Sequence, residues 1–153
     1  DNNILAGAYH FFTFCKEGEE QARNYMHYVP KDSIDLPPIV DLEYGGNCQA
    51  ANRKEDLIHE ISRFIEILED HYQRKVIIYT TNEFYKNYMI NQFSENPIWI
   101  RDILAKPDLP DGRDWLFWQY TNRGVLEGID TFVDLNAFSG SREEFEKLLE
   151  KKS

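Results

Sequence analysis

Positive charge is scarce in this 153-residue sequence, in which 17 Lys and Arg residues stand against 27 Asp and Glu residues and the formal net charge is −10. Because nucleic acids and anionic membranes are bound by clustered Lys and Arg side chains, this balance predicts neither kind of partner. Long apolar runs and a leader pattern are also missing, so the residues predict no membrane-spanning helix and no signal peptide. A leader removed before the first residue would leave no trace.

Motifs for metal and phosphate are missing as well. The four histidines form neither a His-x-His nor a His-Glu-x-x-His pattern, and no glycine-rich loop follows an apolar run. We therefore predict no metal and no organic cofactor. The two cysteines, Cys15 and Cys48, lack zinc-site spacing. They could pair in an exported chain, since each follows a predicted strand, but the residues alone favour free thiols.

Short apolar segments alternate with amphipathic segments along the whole chain. The apolar segments predict six strands, at residues 4–14, 37–43, 75–81, 97–101, 115–121 and 129–138. The amphipathic segments predict helices at residues 17–29, 54–75 and 83–93, with Asn82 as the cap of the third. Ser141 and Glu144 form a capping box that begins a final helix.

Continuous apolar strands that alternate with helices are typical of an α/β protein with a parallel sheet. The strands can form either an open α/β sheet or part of a β/α barrel. In both architectures the ligand lies at the carboxyl ends of the strands.

Two acids, Asp41 and Glu43, stand one residue apart in the stretch LPPIVDLEYGG. Because side chains alternate across a strand, both are expected to point the same way at its carboxyl end. Two carboxylates this close repel each other when both are ionised, so one is expected to have a raised pKa. A proton donor beside an anion suits glycoside hydrolysis. For this pair alone, two solvated acids in a loop are the plainer alternative.

Polar and aromatic residues also stand near the ends of the other predicted strands. They are Tyr9, His10, Tyr79, Trp99, Arg101, Trp118, Gln119, Tyr120, Asp134 and Asn136. Flat aromatic faces combined with amide and carboxylate groups suit a sugar ligand. His10 by itself is more typical of a hydrogen-bonded core histidine than of a catalytic one.

Six segments occur in an order that resembles a known family. The segments are GAYHFF, LPPIVDLE, VIIYTT, PIWI, WLFWQYT and GIDTFVDLNAF, and together they span nearly the whole chain. Their order resembles that of the glycoside hydrolase family 25 lysozymes, also called Chalaropsis-type muramidases. The resemblance implies a flattened TIM-like β/α barrel of eight strands. It also implies cleavage, without a cofactor, of the β-1,4 bond between N-acetylmuramic acid and N-acetylglucosamine in peptidoglycan.

The resemblance also implies roles for individual residues. By motif position, Glu43 resembles the catalytic acid, Asp41 the acid that stabilises the oxocarbenium-like state, and Asp134 the acid on the last strand. The positions that fall where the family lines its cleft are Tyr9, Tyr79, Trp99 and Gln119. Tyr120, at the end of a predicted strand, is also predicted to bind substrate. Peptidoglycan glycan strands would be the partner, and the location would be extracellular or cell-wall associated, after export or phage lysis. Whether a covalent bond or the substrate's acetamido group assists the reaction stays open.

The chain departs from the family pattern at its start. The family opens with an Asp-x-Ser strand, a second strand and a helix before GAYHF, which begins here at residue 7. We therefore expect an incomplete barrel of about six strands, in a single catalytic-type domain over residues 1–153 that is N-terminally shortened relative to the family. A missing wall and a missing acid predict weak or no activity for the chain alone. Free edges at GAYHF and VDLN predict either a homodimer or a smaller closed sheet.

Two further functions stay open beside the muramidase. One is a carbohydrate-binding or inactive relative that keeps the sugar cleft, although a binding module has no need of two crowded acids. The other is an unrelated α/β sheet with a small-molecule site, which the missing glycine-rich fingerprint disfavours.

Overall fold

A computed structural model describes residues 4–48 and 53–150 of the chain. Its strands are β1 (Tyr9–Phe11), β2 (Ile39–Leu42), β3 (Ile77–Thr81), β4 (Ile98–Arg101), β5 (Phe117–Gly124) and β6 (Val133–Phe138). Its helices are α1 (Gly18–Tyr28), α2 (Lys54–Tyr72), α3 (Asn82–Phe84, continued by a π-helical turn over Tyr85–Met89) and α4 (Arg142–Leu149), with a 3₁₀ turn at Lys31–Ser33. No helix in these described ranges combines the length and apolar composition needed to cross a bilayer.

The six strands form one curled sheet in the order of the sequence, β1-β2-β3-β4-β5-β6. β1 to β5 are parallel, as in a β/α barrel, which confirms the predicted incomplete barrel. β6 differs, because it pairs with β5 in the antiparallel direction. The segment 125–132 between them is too short for a crossover helix, which a parallel connection needs. In the part of the chain that the structure describes, β1 and β6 do not pair with each other, so the sheet stays open.

The main core lies between the sheet and the helices. One face of the sheet contributes Val40, Leu42, Ile78, Ile98 and Ile100, all buried. The predicted apolar stripe of α2 covers this face with Leu57, Ile61, Phe64, Ile65 and Leu68, all buried. The alternation of side chains therefore leaves the other face of each strand for the concave side of the sheet.

α1 packs against α2 through a close contact at Gly18. A Cβ atom built on Gly18 would lie 1.9 Å from the backbone oxygen of Glu60, and the Gly18 N–H donates to Glu60 Oε2 at 2.7 Å. Any side chain at this position would push the two helices apart. The glycine therefore sets how closely the α1–α2 layer packs.

Several predicted element ends are corrected. β1 is three residues long rather than the predicted 4–14, because its neighbour β2 offers a partner only from Ile39 onward. The third helix is capped by Thr81, whose hydroxyl accepts from the Phe84 N–H, and Asn82 is already helical. The predicted capping box of Ser141 and Glu144 is confirmed.

The expectation of free thiols is also wrong. Cys15, after β1, forms a disulfide with Cys48, after β2. The parallel pairing of β1 and β2 brings both carboxyl-end loops to the same edge of the sheet, so the two cysteines meet although 33 positions separate them.

Candidate active site

A cavity of about 470 Å³ opens on the concave side of the sheet. It is lined by Gly7, Ala8, Tyr9, Leu36, Ile39, Asp41, Glu43, Tyr79, Trp99, Gln119 and Asp134. All three predicted catalytic acids and four of the five predicted substrate-binding residues are in this set. The exception is Tyr120, which lies outside the cavity.

Asp41 forms part of the cavity floor and is only 9% exposed. Its neighbours across the parallel register are Phe11 on β1 and Tyr79 on β3. Among the described residues its buried Oδ1 has no hydrogen-bond partner. Burial, and secondly the negative charge of Glu43, raise the pKa of Asp41 to about 7. The raised pKa expected for one acid of the pair therefore belongs to Asp41, because it is the buried one.

Glu43 follows the end of β2 and is less buried than Asp41. It lines the main cavity and also a second cavity of about 360 Å³ at the carboxyl ends of β2, β3 and β4. Glu43 therefore lines both cavities, and a ligand that occupies both would contact it. This position is compatible with the predicted role as proton donor.

The backbone at Glu43 is held by Asn47, a residue that the sequence did not single out. Asn47 Nδ2 donates to the carbonyl oxygens of Phe12 (2.8 Å) and Glu43 (3.1 Å). Asn47 Oδ1 accepts from the N–H groups of Phe14 (2.9 Å) and Cys48 (3.1 Å). An Asn after two glycines signals a turn, but its partners Phe12 and Phe14, in the segment after β1, lie 35 and 33 positions away and leave no local signal.

Two hydrogen bonds order the aromatic wall. The Tyr79 hydroxyl donates to Gln119 Oε1 at 2.6 Å, and Trp99 Nε1 donates to Asn136 Oδ1 at 2.9 Å. The rings of Tyr79 and Trp99 meet edge to face, with centroids 5.7 Å apart. Burial, followed by the charges of Glu43 and Asp41, raises the pKa of Tyr79, which keeps its hydroxyl protonated as a donor. This wall presents rigid aromatic surface beside the acids.

Asp134 reaches the cavity for a reason other than the expected one. The sequence placed it at the closing end of a parallel strand, whereas it lies near the start of antiparallel β6. The start of an antiparallel strand lies at the carboxyl edge of its parallel neighbours, so Asp134 still joins the other acids in the lining.

Two residues from the predicted strand ends face away. His10 stacks on Phe64 with ring centroids 5.1 Å apart and pairs with Gln21 Oε1 at 3.0 Å, and burial lowers its pKa. The interpretation of His10 as a core histidine is confirmed. Tyr120 is 41% exposed and packs on Trp118, because it alternates with the cavity-facing Gln119. A substrate contact of Tyr120 stays a prediction.

Within residues 4–48 and 53–150, no group of three or more His, Cys, Asp or Glu side chains is arranged to hold a metal ion. The side chains that line the cavity offer carboxyl groups, an amide and aromatic rings. A buried acid with a raised pKa beside a more accessible acid can exchange and deliver one proton.

Comparison with known proteins adds the family context. Residues 1–129 match the family described as glycosyl hydrolases family 25. The chain is 31% identical over 150 residues to the Escherichia coli O157:H7 protein YegX, covering 98% of this chain and 54% of that protein. It is 28% identical over 150 residues to lysozyme M1 of Streptomyces globisporus, covering 90% of this chain and 51% of that protein.

A solved structure shows the same fold. The family 25 glycosyl hydrolase from Bacillus anthracis superposes with a TM-score of 0.90 at 44% identity, covering 97% of this chain and 70% of that one. The chain spans about half the length of the curated relatives it matches.

Proposed function

Because the chain belongs to glycosyl hydrolase family 25, we propose that it is a muramidase, which cleaves the β-1,4 bond between N-acetylmuramic acid and N-acetylglucosamine in peptidoglycan. The observation that carries the proposal is the pairing of buried Asp41 with more accessible Glu43 in one cavity walled by Tyr79 and Trp99. The relative from Streptomyces globisporus is a lysozyme by name, lysozyme M1, which supports the same activity.

In the proposed reaction Glu43 gives a proton to the glycosidic oxygen as the bond between the anomeric carbon and that oxygen breaks. The bond's electron pair leaves with the oxygen, and positive charge develops on the sugar that remains in the cavity. Asp41 stabilises that charge in its anionic form. Water then adds to the anomeric carbon and gives a proton to the Glu43 carboxylate, which restores the acid.

The raised pKa of Asp41 fits these roles, because it lets the pair hold one proton near neutral pH. In the free protein burial favours the proton on Asp41. Positive charge that develops on the sugar favours ionised Asp41, the form in which it stabilises that charge. Asp134, on the same lining, would add negative charge beside the sugar.

Substitution of the two acids tests this function. Glu43→Gln and Asp41→Asn should each lower the clearing rate of a peptidoglycan suspension by about 100-fold or more, the scale of losing a general acid or an electrostatic stabiliser. The matched control is Glu66→Gln, which alters an exposed acid on α2 that lines neither cavity. Glu43→Gln should still bind glycan. Retention of most activity by Glu43→Gln would refute the assignment.

One observation favours a second candidate, a sugar-binding relative with little hydrolysis. The sheet is open between β1 and β6 in the described chain, and Tyr9, at the cavity edge, is 69% exposed. A cavity open on one side holds a sugar less firmly and admits water. We therefore propose that this chain alone clears cell walls more slowly than the Bacillus anthracis enzyme. An equal rate under the same conditions would contradict this.

The partner and location follow from the proposed substrate. We propose peptidoglycan glycan strands as the partner and action outside the cytoplasm, after export or phage lysis. The net charge of −10 supports no attraction to nucleic acid or anionic membrane surfaces. The free edges of β1 and β6 support pairing of two copies.

A further inference from the structure

Arg101 is the one cation among the described residues that line the main cavity and the second cavity. It ends β4, on the same side of the strand as Trp99, and is half-buried. It lines the second cavity, which shares Glu43 with the main one. The acids of the two linings are Asp41, Glu43, Glu83, Asp102 and Asp134.

None of these acids neutralises Arg101. Within the described ranges its guanidinium forms no ion pair and no side-chain hydrogen bond. The other described arginine without such a contact is the exposed Arg123, whose guanidinium lies over the Phe132 ring. The adjacent Asp102 is engaged elsewhere, since its carboxylate accepts from Asn82 Nδ2 (2.8 Å) and from the N–H groups of Leu104 (3.0 Å) and Ala105 (3.2 Å). A half-buried guanidinium is thus left with unused donors.

The position of this charge relates it to the main cavity. Arg101 lies opposite Gln119 in the β4–β5 register and opposite Thr81 in the β3–β4 register. Its positive charge partly offsets the rise in the pKa of Tyr79, whose hydroxyl donates to Gln119 in the aromatic wall. Because the two cavities share Glu43 in their linings, a substituent that leaves the main cavity past Glu43 would enter the space beside Arg101.

An unpaired guanidinium in the lining of the second cavity suits a ligand that carries a carboxylate. Its planar fork of donors matches the two oxygens of a carboxylate. A neutral sugar offers only hydroxyl and amide groups, which need no cation. The second cavity is also bordered by Ile103 and Leu104, which are 47% and 93% exposed and can contact apolar atoms of a substituent.

We propose that Arg101 is a specificity-determining residue that binds a carboxylate carried by the glycan, with the substituent entering the second cavity. The inference rests on the proposed function, since it assumes that a glycan occupies the main cavity. Two sources offer this carboxylate: the lactyl group of a muramic acid without a peptide, and the acidic residues of a stem peptide.

Binding to the Glu43→Gln variant, which should not consume the ligand, tests the inference. Three forms of one N-acetylglucosaminyl-N-acetylmuramic acid oligosaccharide serve as ligands. The first has a free lactyl carboxylate, and in the second that carboxylate is converted to a methylamide. In the third it is joined to an alanyl-glutamate dipeptide. Calorimetry at low salt should show at least one carboxylate ligand binding about tenfold or more tightly than the methylamide. Whichever carboxylate ligand has the advantage identifies the source.

Three variants decide the outcome. Arg101→Gln in the same background should bring the dissociation constants of the acid and the methylamide together, and Arg101→Lys should keep part of the difference. Arg23→Gln, an exposed change on α1, should keep all of it. Circular dichroism confirms that each variant is folded.

Two results would overturn the inference and are distinguishable from each other. If the Glu43→Gln protein binds acid and methylamide equally, or Arg101→Gln keeps the preference, the role of Arg101 is refuted and the muramidase proposal stands. If the protein binds none of the three ligands, the proposed function fails together with the inference.

Discussion

The Tyr79 hydroxyl donates a 2.6 Å hydrogen bond to Gln119 Oε1, joining β3 to β5 across the top of β4. Gln119 is only 3% exposed, so its amide oxygen depends on this donor. Both residues also line the main cavity. One contact therefore serves the stability of the sheet and the shape of the candidate site.

The Tyr79–Gln119 pair predicts a coupled loss of stability. Tyr79→Phe leaves the buried Gln119 oxygen without a donor and should lower the free energy of unfolding by about 1–3 kcal/mol. Gln119→Met should cost a similar amount, but the double variant should cost less than the sum, because both polar groups are then gone. Urea unfolding of the four proteins measures this coupling, and strict additivity would contradict it.

Asp41 predicts a pH dependence of stability. Its pKa is about 7 in the folded protein against 3.8 for an ordinary Asp side chain, so folding favours its protonated form. The stabilisation from protonated Asp41 is fully present below about pH 4 and is lost as the pH rises to about 7. Above pH 7 this group no longer changes the free energy of unfolding. The change should reach as much as roughly 4 kcal/mol.

The Asp41→Asn variant isolates this effect, because the amide does not ionise while the other acids still titrate. The wild-type protein should lose stability relative to Asp41→Asn between pH 4 and pH 7 in urea unfolding at constant ionic strength. A difference between the two proteins that stays constant with pH would show that Asp41 ionises normally in the folded state.

The disulfide between Cys15 and Cys48 predicts a redox-dependent stability. It ties the loop after β1 to the loop that carries Glu43, and its partners are 33 positions apart. A loop of that size predicts that Cys15→Ser with Cys48→Ser lowers the free energy of unfolding by about 3–4 kcal/mol. Dithiothreitol should bring the wild-type protein toward the variant and leave the variant unchanged. Equal stability of the oxidised and reduced proteins would contradict the prediction.

The free strand edges predict self-association. The β1 edge and the β6 edge both offer unpaired backbone groups, and the neighbouring Phe132 is 59% exposed. Light scattering should show a mass that rises with concentration toward that of a dimer. Phe132→Lys, which adds charge beside β6, should reduce this rise. A wild-type protein that stays monomeric at high concentration would argue against pairing.

The fold was predictable where a pattern is local. The apolar stripe of α2, the capping box at Ser141 and the six apolar strands all follow from spacing within one segment. The direction of β6 was not predicted, because it depends on the length of the connection rather than on the strand. The Cys15–Cys48 pair was missed because it depends on which strands become neighbours.

The candidate site divides in the same way. Period-two alternation in a strand is a local property, so the sequence by itself determined that Asp41 and Glu43 point to the same side of their strand. The register between strands, which is tertiary, brings Tyr79 and Trp99 beside them. It also determined the negative charge of the chain and its family-like order of motifs.

Only the tertiary structure decided how these groups act on one another. Burial depends on what packs above a residue, and electrostatic interaction depends on distance in space, so neither can be read from spacing along the chain. The structure therefore decided that burial raises the pKa of Asp41, and that Asn47 holds the backbone of Glu43. It also decided that Arg101 faces the second cavity without a partner among the described residues, since every contact it could have made comes from another strand or loop.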